Sequence, residues 1–242
     1  MRAFFLGIGA AVAVLLAVVA SRDTAAQVAA VRPGDVKAGK RLFHEADWTA
    51  TGITCIHCHS DFNEKKTPDG YVRPGHPLYN AGFRAEYHAW DGSRVSTLGD
   101  AIASCMQRWM TERGEGGGAE PAAHYIRQLS AYLRSEDLTV ERKSKAIELE
   151  WSDKIPSDRL LQYGDPGLGG AAFRRSCSMC HLSDGSGPSM SLVRNGYSRY
   201  QIAKKIRGIN NKGLDGLIMP RFPNARMSDR EMINIIAFVY QM

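Results

Sequence analysis

The chain begins with an apolar run that differs from everything after it. Residues 3–20 contain no charged side chain, and small polar residues follow at once. This pattern predicts a secretory signal peptide with cleavage near Ala20 or Ala26, so that residues 1–26 are removed. An uncleaved anchor is the alternative, because eighteen apolar residues are just long enough to span a bilayer. Cleavage would leave an exported, periplasmic protein with no membrane span in its mature chain.

Beyond this run, apolar residues recur at helical spacing and strand signals are scarce. In residues 228–240, for example, Ser228 and Glu231 form a capping box ahead of an apolar stripe that includes Met232 and Ile236. The chain is therefore predicted to be all-α. The candidate helices cover Asp35–Phe43, Glu120–Arg134, Gly170–Arg175 and 228–240.

A change in composition divides the chain. Residues 139–150 are charged and sparsely apolar, and residues 163–170 are rich in glycine and proline. We predict one domain over residues 31–138, a linker over 139–160 and a second domain over 161–242.

Composition narrows the functional class. The chain has 242 residues, of which 44% are hydrophobic and 23% charged, which excludes a disordered or collagen-like protein. A mean hydropathy of -0.29 excludes a polytopic membrane protein. The net charge of +6 suits an acidic protein partner but is too small to predict nucleic-acid binding. Five cysteines cannot all form disulfides within one chain.

Four of these cysteines lie in two copies of the motif C-x-x-C-H, at Cys55–His59 and Cys177–His181. This motif attaches haem c, since two thiols bond to the haem vinyl groups and the adjacent histidine binds the iron. A redox dithiol would not need the histidine, and zinc would need a second ligand pair. We therefore predict two covalently bound haem c groups. Their protein ligands would be Cys55, Cys58 and His59 for haem 1, and Cys177, Cys180 and His181 for haem 2.

The second iron ligand of haem 2 is predicted to be Met219. It precedes Pro220 in an irregular loop ahead of the last helix, where its thioether can face an iron. Met190 and Met227 are the alternatives. Residues 165–242 resemble class I cytochrome c domains with Met/His ligation, and the resemblance includes the stretch from Asp184 to Pro188.

For haem 1 the residues leave several second ligands open. The candidates are His76, His88, His124, Met106, Met110 and Cys105. Thr97 or Asp100 could cap a helix that carries Cys105 toward the haem. Cys105 could also be a buried thiol that only packs, although an odd thiol in an exported protein usually has a use.

Residues 52–134 resemble the haem domains of sulfur-oxidation cytochromes, namely the cytochrome A subunit of the thiosulfate-oxidising system and the dihaem thiosulfate dehydrogenases. The matching stretches are Thr54-Cys55-x-x-Cys58-His59, Pro77-Leu78-Tyr79, Leu98-x-x-x-Ile102-x-x-Cys105 with Met110, and Leu129-x-x-Tyr132-Leu133. The resemblance implies that Cys105 binds the haem 1 iron and takes part in sulfur chemistry.

The chain departs from this family at Ala101, where an arginine is usual. The family's arginine would bind a sulfur oxyanion, and Arg94, Arg108 or Arg113 could replace it. The family's Asn-Gly is replaced by Thr111-Glu112 in this chain.

Together these features predict two tandem class I cytochrome c-like domains in one dihaem protein. Electrons would pass from a low-potential haem 1 to a higher-potential haem 2 and on to a redox partner. A basic rim could dock that partner if it is acidic. The rim residues would be Lys204, Lys205, Arg207, Lys212 and Arg221. One alternative is an enzyme that oxidises a reduced sulfur anion at Cys105, and another is a cytochrome subunit of a larger respiratory complex.

Overall fold

The computed structural model describes residues 32–110, 121–139, 154–182, 196–208 and 219–242. The predicted signal peptide and the stretch from Asp184 to Pro188 lie outside the described residues. Within them the fold is mostly helical with little strand, as predicted. No helix in the described ranges has both the length and the apolar character needed to cross a membrane.

In the first part of the chain, residues 32–110 and 121–139 form four α-helices and one short hairpin. The helices are α1 (Pro33–His44), α2 (Cys55–Cys58), α3 (Leu98–Trp109) and α4 (Ala123–Leu133). Strands β1 (Tyr87–His88) and β2 (Arg94–Val95) pair antiparallel, with Tyr87 opposite Val95. Helix α4 begins later than the predicted Glu120, because Ala122 is extended and forms its N-cap.

The second part of the chain is helical wherever the structure describes regular elements. A single 3₁₀ turn (Leu160–Gln162) precedes α5 (Pro166–Ser176), α6 (Ser178–His181), α7 (Arg199–Arg207) and α8 (Asp229–Val239). Helix α5 begins four residues before the predicted Gly170, because Asp165 caps it by accepting from the Leu168 amide at 3.0 Å. Ser228 and Glu231 form the predicted capping box of α8.

Helices α1 and α4 cross at Gly39 and bury an apolar cluster, which we call cluster one. A β-carbon at Gly39 would strike the Gln128 carbonyl of α4, so only glycine allows this approach. Cluster one is formed by Leu42, Phe43, Leu98, Met106, Met110, Leu129, Tyr132, Leu133 and Leu138.

Helices α5 and α8 repeat this arrangement at Gly169, where a β-carbon would strike the Asn234 carbonyl. The Asn234 side chain is buried and accepts from the Asp165 amide at 2.9 Å, which fixes the start of α5 against α8. The apolar side chains buried here, which we call cluster two, include Leu161, Phe173, Ile206, Phe222, Met227, Met232, Ile235 and Ile236.

Residues that follow the first C-x-x-C-H motif contact cluster two. The Val72 amide donates to the Arg175 carbonyl of α5 at 2.9 Å, and the Val72 side chain packs on cluster two. Arg226, just before α8, donates to Glu64 and to the Gly75 carbonyl. The proposed domain limits themselves stay a prediction.

Candidate haem sites

The first motif forms the single helical turn α2, which begins at Cys55 and ends at Cys58. The Thr54 amide donates to the His57 ring at 3.0 Å, and the His59 amide donates to the Cys55 carbonyl at 2.8 Å. His57 is therefore held by the backbone at the start of the turn. His59 follows the turn directly, next to both thiols.

The ring of His59 is oriented by a backbone hydrogen bond. Its Nδ1 donates to the His76 carbonyl at 2.7 Å, which leaves the lone pair of Nε2 for a metal. Burial lowers the pKa of His59 to about 4, so the ring is neutral at physiological pH. Gly75 packs so closely on this ring that a β-carbon there would strike it. These features fit a haem with His59 as iron ligand.

Arg73 holds the middle of the motif. Its buried guanidinium donates from Nε to the Ile56 carbonyl at 2.8 Å. Its two terminal nitrogens donate to the Asp69 carboxylate at 3.1 and 2.7 Å. The motif backbone is thus connected through Arg73 to the loop that follows it.

We expect Asp69→Asn to reduce the pH dependence of stability in acid. The hydrogen bonds from Arg73 hold the pKa of Asp69 below its usual value. Because the pKa is lower in the folded state, this stabilisation is complete above the unfolded-state pKa and is lost as the pH falls through the folded-state pKa. Denaturant unfolding at pH 6 and pH 3 should show a larger loss for wild type than for the variant. Equal losses in both proteins would contradict this account.

Cys105 lies on α3, which Thr97 caps by accepting from the Asp100 amide at 3.1 Å. Burial raises the pKa of Cys55 and Cys58, and the charged form of Cys105 raises both further. Cys55 packs on cluster one, which includes Met106, the residue after Cys105. Burial raises the pKa of Cys105 itself to about 11. At neutral pH the thiol stays protonated unless a metal binds the sulfur and displaces the proton.

The other candidates for haem 1 have different surroundings. His76 lies on the same side as His59, because its carbonyl accepts from the His59 ring. The His76 ring contacts Arg84. His88 and His124 are exposed. Met106 and Met110 are buried in cluster one.

The second motif continues directly from α5. The Cys177 amide donates to the Phe173 carbonyl at 2.7 Å, and the His181 amide donates to the Cys177 carbonyl at 2.9 Å. Burial raises the pKa of Cys177 to about 12 and that of Cys180 to about 11. Burial above all, and the Cys180 thiolate after it, raise the pKa of Cys58.

Met219 is partly buried and packs on cluster two. The loop that follows it is held by Arg207, whose Nη1 donates to the carbonyls of Phe222 and Met227 at 2.8 and 2.9 Å. Of the alternatives, Met227 is buried in cluster two and Met190 lies outside the described residues.

Arg207 corrects one part of the predicted basic rim. It is 1% exposed, so its placement in a docking surface was wrong. Its Nη2 donates to Asp229 at 2.6 Å, which shows that its role is internal. Lys212 of the same rim lies outside the described residues.

Arg73 and Arg226, which connect the first motif to its surroundings, were not predicted from the sequence. Both are arginines in loops, a position that ordinarily indicates a solvated side chain. The available signal for Arg73 was the presence of Tyr71 two residues earlier and of Asp69 four residues earlier. For Arg226 no local pattern pointed to Glu64, since 162 residues separate the two.

Comparison with known proteins finds a similar family in the second part of the chain. Residues 165–239 match the family model for cytochrome C oxidase, cbb3-type, subunit III. This segment includes the second C-x-x-C-H motif and Met219. In these residues the chain is similar to a cytochrome c domain. Such a domain binds haem c covalently and transfers electrons.

A solved structure also resembles the chain. It is the thiosulfate dehydrogenase (TsdBA) from Marichromatium purpuratum in its as-isolated form, with a TM-score of 0.41 and 17% identity. The match covers 85% of this chain and 45% of that one, so the chain spans less than half of that protein's length. A search of curated proteins gave no match.

Proposed function

We propose that the protein is an exported, periplasmic dihaem cytochrome c that transfers electrons from haem 1 to haem 2 and then to a redox partner. Cys55, Cys58 and His59 would hold haem 1, with Cys105 as its second iron ligand. Haem 2 would be held by Cys177, Cys180 and His181, with Met219 as its second iron ligand.

The observation that carries this proposal is the closeness of the two motifs. The Gly75 amide donates to the Cys58 carbonyl, and the Val72 amide of the same loop donates to the carbonyl of Arg175, two residues before Cys177. The Val72–Arg175 and Arg226–Gly75 hydrogen bonds support the same arrangement, since they join the loop after the first motif to cluster two. A short distance between two haem groups is what direct electron transfer between them requires.

The residues also define a direction of transfer. Each haem iron supplies a one-electron change when bound. A thiolate ligand stabilises the ferric state and lowers the potential, whereas a methionine with histidine raises it. Cys105 at haem 1 and Met219 at haem 2 would therefore make transfer from haem 1 to haem 2 favourable.

The partner would dock near α7. Lys204 and Lys205 extend from this helix over the rings of Tyr200 and Tyr197, at 5.1 and 4.7 Å from the ring centroids. Lysines beside aromatic rings suit an acidic protein surface.

Haem counting and electron paramagnetic resonance test the proposal. The purified holoprotein should contain two haems, and the double variants C55A/C58A and C177A/C180A should each contain one. The oxidised protein should show a low-spin thiolate-ligated haem, and Cys105→Ala should remove this signal and raise the haem 1 potential. A single haem in wild type would overturn the proposal. Spectra with only His/Met or His/His haems would exclude Cys105 as a ligand.

A second candidate function is oxidation of a reduced sulfur anion at haem 1. Arg108 favours it, because this cation lies three residues after Cys105 on α3 with its guanidinium carbon 4.9 Å from the Trp90 ring centroid. Arg94 is instead paired with Glu86 at 3.0 Å, and Arg113 lies outside the described residues. Haem reduction on adding thiosulfate, lost in Cys105→Ala, would support an enzyme. No reduction by any sulfur anion would leave a carrier, or a subunit of a larger respiratory complex that a pull-down would identify.

A further inference from the structure

Arg226 forms an ion pair that connects the loop before α8 with the loop after the first motif. Its Nη1 donates to Glu64 Oε2 at 2.6 Å and its Nη2 donates to the Gly75 carbonyl at 2.7 Å. The side chains of Arg226 and Glu64 are only 20% and 18% exposed. Charges this well covered are screened much less than surface charges.

Both partners of Arg226 near the first motif are hydrogen-bonded to residues that adjoin His59 in the chain. The other Glu64 oxygen accepts from the Ser60 hydroxyl at 2.8 Å, and Ser60 is buried next to His59. The Gly75 amide donates to the Cys58 carbonyl at 2.9 Å. The next residue, His76, provides the carbonyl that accepts from the His59 ring.

The charges of this pair lie beside the His59 ring. Arg226 binds the carbonyl of Gly75, which packs on that ring, and Glu64 binds the hydroxyl of Ser60, the residue after His59. Arg84 contacts the His76 ring and the Pro77 carbonyl on the same side of the site. The surroundings of His59 therefore contain two cations and one carboxylate, of which one cation comes from the chain near α8.

At its other end Arg226 belongs to the loop that carries Met219. The amides of Arg226 and Met227 donate to the Pro223 carbonyl at 2.9 and 3.0 Å, which forms a turn at the start of α8. The side chain of Arg226 extends from this turn to the first motif. One residue thus joins the loop that carries Met219 to the loop that follows His59.

We propose that the Arg226–Glu64 pair is a positioning pair that sets the reduction potential of haem 1 from the loop before α8. The proposal rests on haem binding at Cys55, Cys58 and His59. A haem carries one more positive charge when oxidised than when reduced. A nearby cation therefore favours the reduced state, and a nearby carboxylate favours the oxidised state.

Redox titration of the holoprotein with R226Q, E64Q and the double variant tests this assignment. R226Q removes the cation and should lower the haem 1 potential, whereas E64Q removes the carboxylate and should raise it. The double variant should lie between the two single variants. The haem 2 potential should shift less in each case.

Arg127→Gln is the matched control. Arg127 pairs with Asp35 at 3.3 Å, but its side chain is 61% exposed, so the haem 1 potential should stay at its wild-type value. Arg226→Lys keeps the charge and should stay near wild type. If R226Q fails to fold, the rise expected in E64Q tests the assignment by itself.

If R226Q and E64Q shift the haem 1 potential in the same direction, or if neither shifts it, the pair has only a structural role. Either result would overturn the assignment. A shift in R127Q as large as that in R226Q would overturn it too. A first motif without haem would overturn the proposed function as well. The haem count reveals that case before any titration and so separates the two failures.

Discussion

Gly39→Ala is expected to lower the free energy of unfolding by about 2–3 kcal/mol, the cost of overpacking a close helix contact. The new β-carbon would meet the backbone carbonyl of Gln128 and would lie 2.7 Å from the Tyr132 β-carbon. Neither is the flexible end of a side chain, so α1 and α4 would have to separate. Denaturant unfolding followed by circular dichroism measures the loss.

Gly34→Ala is the matched control, because Gly34 lies on the same helix with nothing within 4 Å of its β-carbon position. Alanine is the better helix former, so this variant should be as stable as wild type or more stable by up to about 1 kcal/mol. Equal destabilisation by the two substitutions would show that α1 tolerates no alanine for another reason. It would contradict the crossing at Gly39 as the cause.

The helices were largely predictable because their signals are local. The capping box of Ser228 and Glu231 predicts the start of α8 from four residues, and the apolar stripe of α8 follows at helical spacing. Thr97 similarly begins the helix that brings Cys105 near the first motif. The glycine crossings were not predicted, since a glycine in a helix has no local pattern that shows what it will touch.

In the candidate site, too, the local features were predictable and the long-range contacts were not. The two C-x-x-C-H motifs define their own local geometry, which is why Cys55, Cys58 and His59 could be proposed from sequence. The contacts that hold the motifs depend on distant residues. Arg226 and Glu64 illustrate this, since their pairing depends on how the loop before α8 packs against the loop after the first motif.

Arg207 shows how a charged pattern can mislead. The run Lys204-Lys205-Ile206-Arg207 reads as a solvated helix end, yet Arg207 is buried. It lies four residues after the buried Ala203 and therefore on the same face of α7. That spacing was the available signal, and the presence of Asp229 at the start of α8 explains why a cation is tolerated there.

Arg207→Met is expected to lower the free energy of unfolding by roughly 3 kcal/mol, because it removes a charged donor and leaves buried acceptors without partners. The carbonyls of Phe222 and Met227 would lose the donor at 2.8 and 2.9 Å, and Asp229 would lose its ion pair at 2.6 Å. These contacts hold the loop after Met219 against α7. Denaturant unfolding of the variant and of Arg207→Lys, which keeps the charge but not the three-way geometry, measures the loss.

The same substitution should also affect haem 2. If Met219 binds its iron, a loosened loop should weaken that bond and lower the haem 2 potential, while haem 1 keeps its own. Arg230→Met is the control, since Arg230 is exposed and should change stability by no more than about 0.5 kcal/mol. Wild-type stability in Arg207→Met would contradict a stabilising role for this arginine. If stability is lost but the haem 2 potential is unchanged, the loop stabilises the fold but does not hold Met219 on the iron.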